Sequence, residues 1–404
     1  MNTLLDRFLR YVSYDTQSVP DSTGTPSTSG QLSFLHLLAK ELRAMGWEPD
    51  LHRQQYLCVR ISGNKGKDTP PVGFLAHVDT AVEVSGADIH PQIIDNYDGS
   101  DIVLNASRKI IMRRDDFPHL SQYIGQTLIT TDGTTLLGAD DKAGVTFLME
   151  LAQYLSLHPE IKHGEICLAF TTDEEIGRGV DNFDLASFGA KYAYTVDGGA
   201  IGELEYENFN AAMATLQVKG CSMHPGEAGK TYKNALLLLE EFNHRLPVDQ
   251  RPETTTGYQG FFLLSQLNGT TDAAKAKYLI RDHSSELFQA KKDFLYQTAH
   301  LLNQTYGDET FHLQIEDQYY NMRSKIEEEP VVIDKAIAAI RKAGIHPVIK
   351  PIRGGTDGAR LTYMGLPCPN LFTGGHNFHS IYEYIPLQSM QKALEVVLNI
   401  AESY

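Results

Sequence analysis

Imidazole and carboxylate side chains recur in this sequence at the ends of short apolar runs. His77 and Asp79 close VGFLAHVD, Asp140 and Asp141 stand in GADDKAG, and Asp173, Glu174 and Glu175 follow ICLAFTT; Asp197 follows YAYTV, and His376 and His379 follow PNLFTGG. A donor set of nitrogen and oxygen without thiolate suits a hard-to-borderline divalent cation such as zinc, cobalt or manganese. Any one of these residues alone is weak evidence. The chain carries 15 histidines and 51 acidic residues, and most must be solvated or satisfied in the core. Their placement is what exceeds chance: in an open α/β sheet, ligands gather in the crevice outside the carboxyl ends of the strands, so these segments should converge.

Each motif carries its own chemistry and its own bland alternative. In HVDT an extended backbone puts His77 and Asp79 on one face, about 6 to 7 Å apart along the strand, from where a carboxylate can orient a metal-bound imidazole. In GADDKAG, Asp140 stands where a turn leads into a helix, and adjacent acids there also serve as ordinary N-caps. In FTTDEEIG three consecutive acids crowd the end of an apolar strand, which is unfavourable without a cation nearby; a solvated turn is the competing reading.

The elements that must position these groups alternate between strand and helix. VGFLAHV (72–78), ICLAF (166–170), YAYTV (192–196) and PNLFTGG (369–375) read as buried strands, and 145–155 as an amphipathic helix between two of them. Leu35, Leu38, Leu42 and Met45 share one face of a helix that ends at Gly46. At the N-terminus Leu4, Leu5, Phe8, Leu9 and Val12 have helical spacing, but Asp6, Arg7 and Arg10 interrupt any signal-like run, so this is a surface helix covering the core. PDSTGTPSTSG (20–30) reads as a surface loop. The whole is an α/β pattern with a largely parallel sheet.

Between about Ala211 and Tyr320 the texture changes to strand, helix, two strands, helix, strand, a β-α-β-β-α-β unit. Two sequential domains are one reading; the α/β pattern resuming after a helix at 335–343 favours an insertion. A length of 404 residues agrees with two compact units. With 35 basic against 51 acidic residues and a net charge of −16, nucleic acid and anionic membrane surfaces are poor partners. The four cysteines, Cys58, Cys167, Cys221 and Cys368, lack paired spacing, which suggests neither a disulfide framework nor a thiolate zinc site and points to a reducing, cytoplasmic setting.

The stretches FLAHVDT, QTLITTDGTTLLGADDKAG, TTDEEIG, YTVDGG, NFNAA, YYNM, PIRGGTDGA and GLPCPNLFTGGHNFH resemble the co-catalytic zinc peptidase family that includes aminoacylase and glutamate carboxypeptidase. Within it they are similar to a branch of aminopeptidases acting on tripeptides. The resemblance implies a zinc-exopeptidase-like catalytic domain at 1–208 and 322–404, with a mostly parallel sheet flanked by helices, and an inserted α+β lid and dimerisation domain at 209–321. It implies two divalent metals per subunit, zinc first with cobalt or manganese as alternatives: His77 and Asp197 on one, Glu175 and His379 on the other, Asp140 bridging. Asp79 matches the acid that orients His77, and Glu174 the general base acting with a metal-bridging hydroxide. In the inserted unit His224, in SMHPG, matches an oxyanion-stabilising histidine contributed across a homodimer, and Arg281 and Arg353 match arginines that clamp a peptide carboxylate; a capping histidine and lid salt bridges are the structural alternatives. The branch usually carries tyrosine at His376, which makes that imidazole a possible substitute ligand. A dipeptidase or an N-acyl-amino-acid deacylase would use the same machinery, and a noncatalytic metal-dependent binding protein would have no need of Glu174.

Overall fold

The computed structural model describes residues 3–66, 69–224, 226, 229 and 231–404. Val72–His77 and Ile166–Thr171 are buried at every position, and Tyr192–Gly198 at every position but Asp197, as expected of strands covered on both faces. They form the middle of an eight-stranded sheet whose order is Asp50–His52, Tyr56–Ile61, Ile166–Thr171, Val72–His77, Tyr192–Gly198, Asn370–Phe372, Glu203–Glu205, Val348–Ile349. The four strands from Ile166–Thr171 to Asn370–Phe372 are mutually parallel. Antiparallel neighbours flank them: Tyr56–Ile61 on one side and Glu203–Glu205 on the other. Four consecutive strands therefore deliver their carboxyl ends to one edge.

The helix between the first two of these strands in sequence runs from Ala139 to Leu157, and the amphipathic face expected at 145–155 is narrow: Glu150, Gln153 and Tyr154 are half-buried along one side. Val145, Phe147, Leu148, Met149, Leu151, Ala152 and Leu155 are all buried. It lies against strands Val72–His77 and Tyr192–Gly198 and is covered in turn by helices Thr3–Val12, Ser29–Ala44 and Leu387–Ser403. A helix covered over most of its circumference needs apolar residues over most of it. The N-terminal helix supplies part of that cover through Leu4, Phe8, Tyr11 and Val12.

The chain divides into two compact units, one made of 1–206, 324–350 and 356–404, the other of 207–323 and 351–355. The second unit has the element order β-α-β-β-α-β, with a four-stranded antiparallel sheet ordered Phe261–Gly269, Ala273–Asp282, Asn210–Lys219, Phe311–Tyr319. Alternate residues of its two central strands pair across one face: Ala212 with Ile280, Ala214 with Tyr278, Leu216 with Ala276, Val218 with Ala274. These join Leu239 and Phe242 of helix Ala235–His244 and Leu295 and Leu302 of helix Ser285–Tyr306 in one core, the half-buried alternation a one-sided sheet requires. Among the described residues no helix is long and apolar enough to cross a membrane.

Candidate metal centre

His77 is the last residue of its strand and pairs in register with Thr171, which puts the Glu174–Glu175 turn just beyond it. Asp197 lies near the end of the next strand and His379 in the loop after Asn370–Phe372. Asp140 comes from the other direction. It follows Gly138, a left-handed turn residue (φ +78°), and with Asp141 keeps non-helical dihedrals, so the regular helix starts only after the pair; the peptide between them is cis. The side chains meet closely. His77 Nε2 lies 2.9 Å from Asp140 Oδ1 and 3.4 Å from Asp197 Oδ1, while His379 Nε2 lies 3.2 Å from Asp140 Oδ2 and 3.0 Å from Glu175 Oε2. The two oxygens of Asp140 thus face two different imidazoles.

Several buried groups fix this arrangement, and some carried no signal in the sequence. The Asp79 carboxylate lies 3.4 Å from His77 Nδ1, but that nitrogen is also 3.1 Å from the Asp79 carbonyl. The carboxylate itself accepts from Glu174 N–H and Glu175 N–H, both at 3.1 Å, and from the Ser18 hydroxyl at 2.6 Å. It therefore holds the Glu174–Glu175 turn as well as the ring. Asp173, fully buried at φ +60°, accepts from Ser27 N–H, Gln31 Nε2 and Arg178 Nη2. Those bonds fasten the 20–28 segment, which is the surface loop expected, to the buried Asp173 at one side. Asp141 accepts from the backbone N–H groups of His77 and Gly144, and Glu383 from those of Leu137, Gly138 and Asp140. Asp357, also buried, takes a hydrogen bond from Thr171.

The electrostatics call for a cation. Burial, reinforced by the charge of Asp140, pushes Glu175 up to about 8 and Asp197 up to about 7. Burial likewise drives Asp141 and Glu174 well above the usual carboxylate range. For Asp140 burial acts in the same sense but is outweighed by hydrogen bonds from His379 and His77, which hold it below its ordinary value. Burial would lower both imidazoles, yet the carboxylates around them win, and His379 is held up at about 12. Among the described residues Glu175 Oε1 is buried with no hydrogen-bond partner. Ligand atoms of His77, Asp141 and Asp197 lie within 4.8 Å of one another, as do those of His77, Asp140 and Glu175. Crowded carboxylates, an orphaned oxygen and imidazole nitrogens make a donor set that fits divalent metal.

His376 is not in this cluster. Its Nε2 meets the Tyr123 hydroxyl at 2.6 Å, and its ring stacks on His119 (4.7 Å) and Tyr384 (5.0 Å). The other three expected residues belong to the second unit. Arg281 donates to the carbonyls of Ala212 and Ile280 and lies over the Tyr319 ring. Arg353 donates to the carbonyls of Gly257, Gln259 and Thr255 and to the Thr255 hydroxyl, between Phe209 and Phe261. His224 is exposed and its Nδ1 accepts from Gly226 N–H; Pro225, expected to form a turn with that glycine, lies outside the described residues.

A family model described as "Peptidase family M20/M25/M40" matches residues 131–403. A protein named Peptidase T from Desulfitobacterium hafniense is 50% identical over 404 residues, covering 100% of this chain and 98% of its own length. Among solved structures, a tripeptidase from Staphylococcus aureus superposes with a TM-score of 0.79 at 20% identity, covering 99% of this chain and 97% of that one. A dinuclear metal binding peptidase of the M20 family from Bacillus subtilis gives 0.64 at 12% identity, with coverage of 99% and 97%. The two solved structures share the fold.

Proposed function

We propose, from the premise that the chain belongs to peptidase family M20/M25/M40, that its centre holds two divalent ions and removes the N-terminal residue from tripeptides. The chain is a metal-dependent peptide hydrolase. One observation carries the two-metal reading: Asp140 presents one oxygen toward His77 and the other toward His379. His77 and Asp197 would then hold one ion, Glu175 and His379 the other, with Asp140 between. Ions bound there, zinc in our reading with cobalt or manganese as alternatives, would polarise the scissile carbonyl and lower the pKa of bound water.

The chain's own groups do the rest. Glu174, whose N–H is held by Asp79, takes a proton from the attacking water on its carboxylate and passes it to the leaving amine nitrogen. His224, with Nδ1 used as an acceptor, carries its proton on Nε2 and so presents a donor. We assign it to the tetrahedral oxyanion of the partner subunit's site in a homodimer. Arg281 and Arg353 are assigned to the peptide carboxylate. Both arginines would have to give up contacts they already make within their own unit. Four unpaired thiols suit a reducing compartment, and we place the enzyme in the cytoplasm.

The test is hydrolysis by zinc-loaded protein of a tripeptide, a dipeptide and an N-acetylated amino acid. Release of one N-terminal residue from the tripeptide alone is the expected result. Preference for either other substrate makes the chain a dipeptidase or a deacylase, and no turnover makes it a binding protein. For the dimer, mixing His224→Ala and Glu174→Gln chains should restore about a quarter of wild-type activity, because half of randomly exchanged dimers are mixed and each has one complete site. Demonstrated exchange without recovery would refute the shared site.

A further inference from the structure

Glu383 is 1% exposed, and its carboxylate accepts three backbone N–H groups: Leu137 at 2.7 Å and Gly138 at 2.9 Å on one oxygen, Asp140 at 3.1 Å on the other. No ion pair to it forms among the described residues. A buried carboxylate without a cation partner is costly unless peptide donors replace its water, and the entrance to a helix offers such donors together with a favourable dipole. The bonds are made to the segment that ends in Asp140.

Glu383 also belongs to the segment that carries His379. Residues 376–384 form a closed, cross-braced loop. His376 and Tyr384 exchange backbone hydrogen bonds at 2.9 and 3.1 Å, Asn377 Nδ2 reaches the Tyr382 carbonyl at 3.0 Å, and the Ser380 hydroxyl donates to the Asn377 carbonyl at 2.6 Å. The loop runs into strand Tyr384–Pro386, which pairs with Leu128–Thr130. A group fixed at position 383 is thus coupled to His379 through a braced loop and to Asp140 through direct hydrogen bonds.

We infer that Glu383 is a positioning residue that sets the distance between Asp140 and His379 and so tunes one half of the metal centre. The inference rests on the two-metal reading above. Outer groups that orient metal ligands are worth about 10- to 100-fold in metal affinity. Glu383→Gln places an amide donor where one of three N–H groups now points, and Glu383→Asp keeps the charge but withdraws it by one methylene. Both should weaken binding at the half-site containing Glu175 and His379 by that factor and leave the half-site containing His77 and Asp197 within a few-fold.

The experiment is titration of metal-free protein with zinc against a fluorescent chelator, for wild type and both variants, with thermal unfolding of the metal-free forms recorded alongside. Two ions on wild type and selective weakening of one in Glu383→Asp is the expected result; that variant serves if Glu383→Gln fails to fold. Wild type taking up two ions and Glu383→Asp taking up two with unchanged affinity overturns the inference alone, as does equal weakening of both ions in a folded variant. Wild type taking up fewer than two overturns the two-metal reading and this inference with it.

Discussion

Replacing Asp79 with asparagine separates two jobs that its carboxylate could do. Asparagine keeps the volume and one acceptor oxygen but turns the other oxygen into a donor. If the amide oxygen takes the Oδ2 position, it still accepts from Ser18 and Glu175 N–H, and the new NH2 faces Glu174 N–H and His77 Nδ1. If it flips, the NH2 faces Glu175 N–H instead. Either way one buried peptide donor loses its acceptor, at about 1 to 3 kcal/mol. The His77 ring is less affected, because the Asp79 carbonyl remains 3.1 Å from Nδ1. The damage should therefore fall on the Glu174–Glu175 turn. We expect kcat to fall by about 10- to 100-fold, equivalent to about 1.4 to 2.7 kcal/mol in the barrier. KM and the affinity of the His77 half-site should change little. Steady-state kinetics on a tripeptide, paired with zinc titration, measure these terms separately. Wild-type kcat in the variant would refute the reasoning. So would weakening of the His77 half-site with kcat per bound metal preserved, since the carboxylate would then act through the ring.

Glu174→Gln should keep both ions and lose roughly 10² to 10⁴ in turnover, whereas Glu175→Gln should lower metal content; elemental analysis showing the reverse would exchange their roles. His379→Ala should lose one ion of two while His376→Ala keeps both, and a swapped stoichiometry would make His376 the ligand. Burial presses the His376 imidazole down to about 3, so the folded chain keeps it neutral while the unfolded chain, near 6.5, takes up a proton. Its contribution to stability is constant above about 6.5 and declines as pH falls toward 3, by about 2 kcal/mol at pH 5. Denaturant midpoints of metal-free wild type and His376→Phe between pH 7.5 and 5 measure it, and equal pH slopes would count against it.

The sheet and the gathering of acids at its edge were legible because both are written in short stretches. An apolar run of five, followed directly by His77 or, after two threonines, by Asp173, describes Val72–His77 and Ile166–Thr171 without knowledge of any other segment. Groups whose meaning depends on distant partners were not. Glu383, in IYEYIP, reads as a solvated acid until the turn at 137–140 is folded against it, and Ser18 and Asp173 gain their roles only when Gln31, Arg178 and the 20–28 segment come together. The width of the polar face on the helix at 139–157 was hidden for a related reason: three other helices cover most of it and leave only the stripe at Glu150, Gln153 and Tyr154. Strands such as Glu203–Glu205 and Val348–Ile349 are too short for a periodic pattern, and pairing with neighbours defines them.

The position of strand Asn370–Phe372 bears on the order in which the molecule can be built during synthesis. It lies between Tyr192–Gly198 and Glu203–Glu205, two strands that leave the ribosome almost together, and it leaves after 164 further residues have been made, counting from 205 to 370. Until then the central sheet has a gap and Glu203–Glu205 has no neighbour on that side, which leaves strand edges open to wrong pairing. The same late segment brings His379. On the two-metal reading proposed above, a nascent chain that has reached Asp197 already holds His77 and Asp140 for one ion, and the second ion waits for the strand that closes the sheet. Metal uptake and closure of the sheet should accordingly finish as one event, and a chain truncated before residue 370 would lack both.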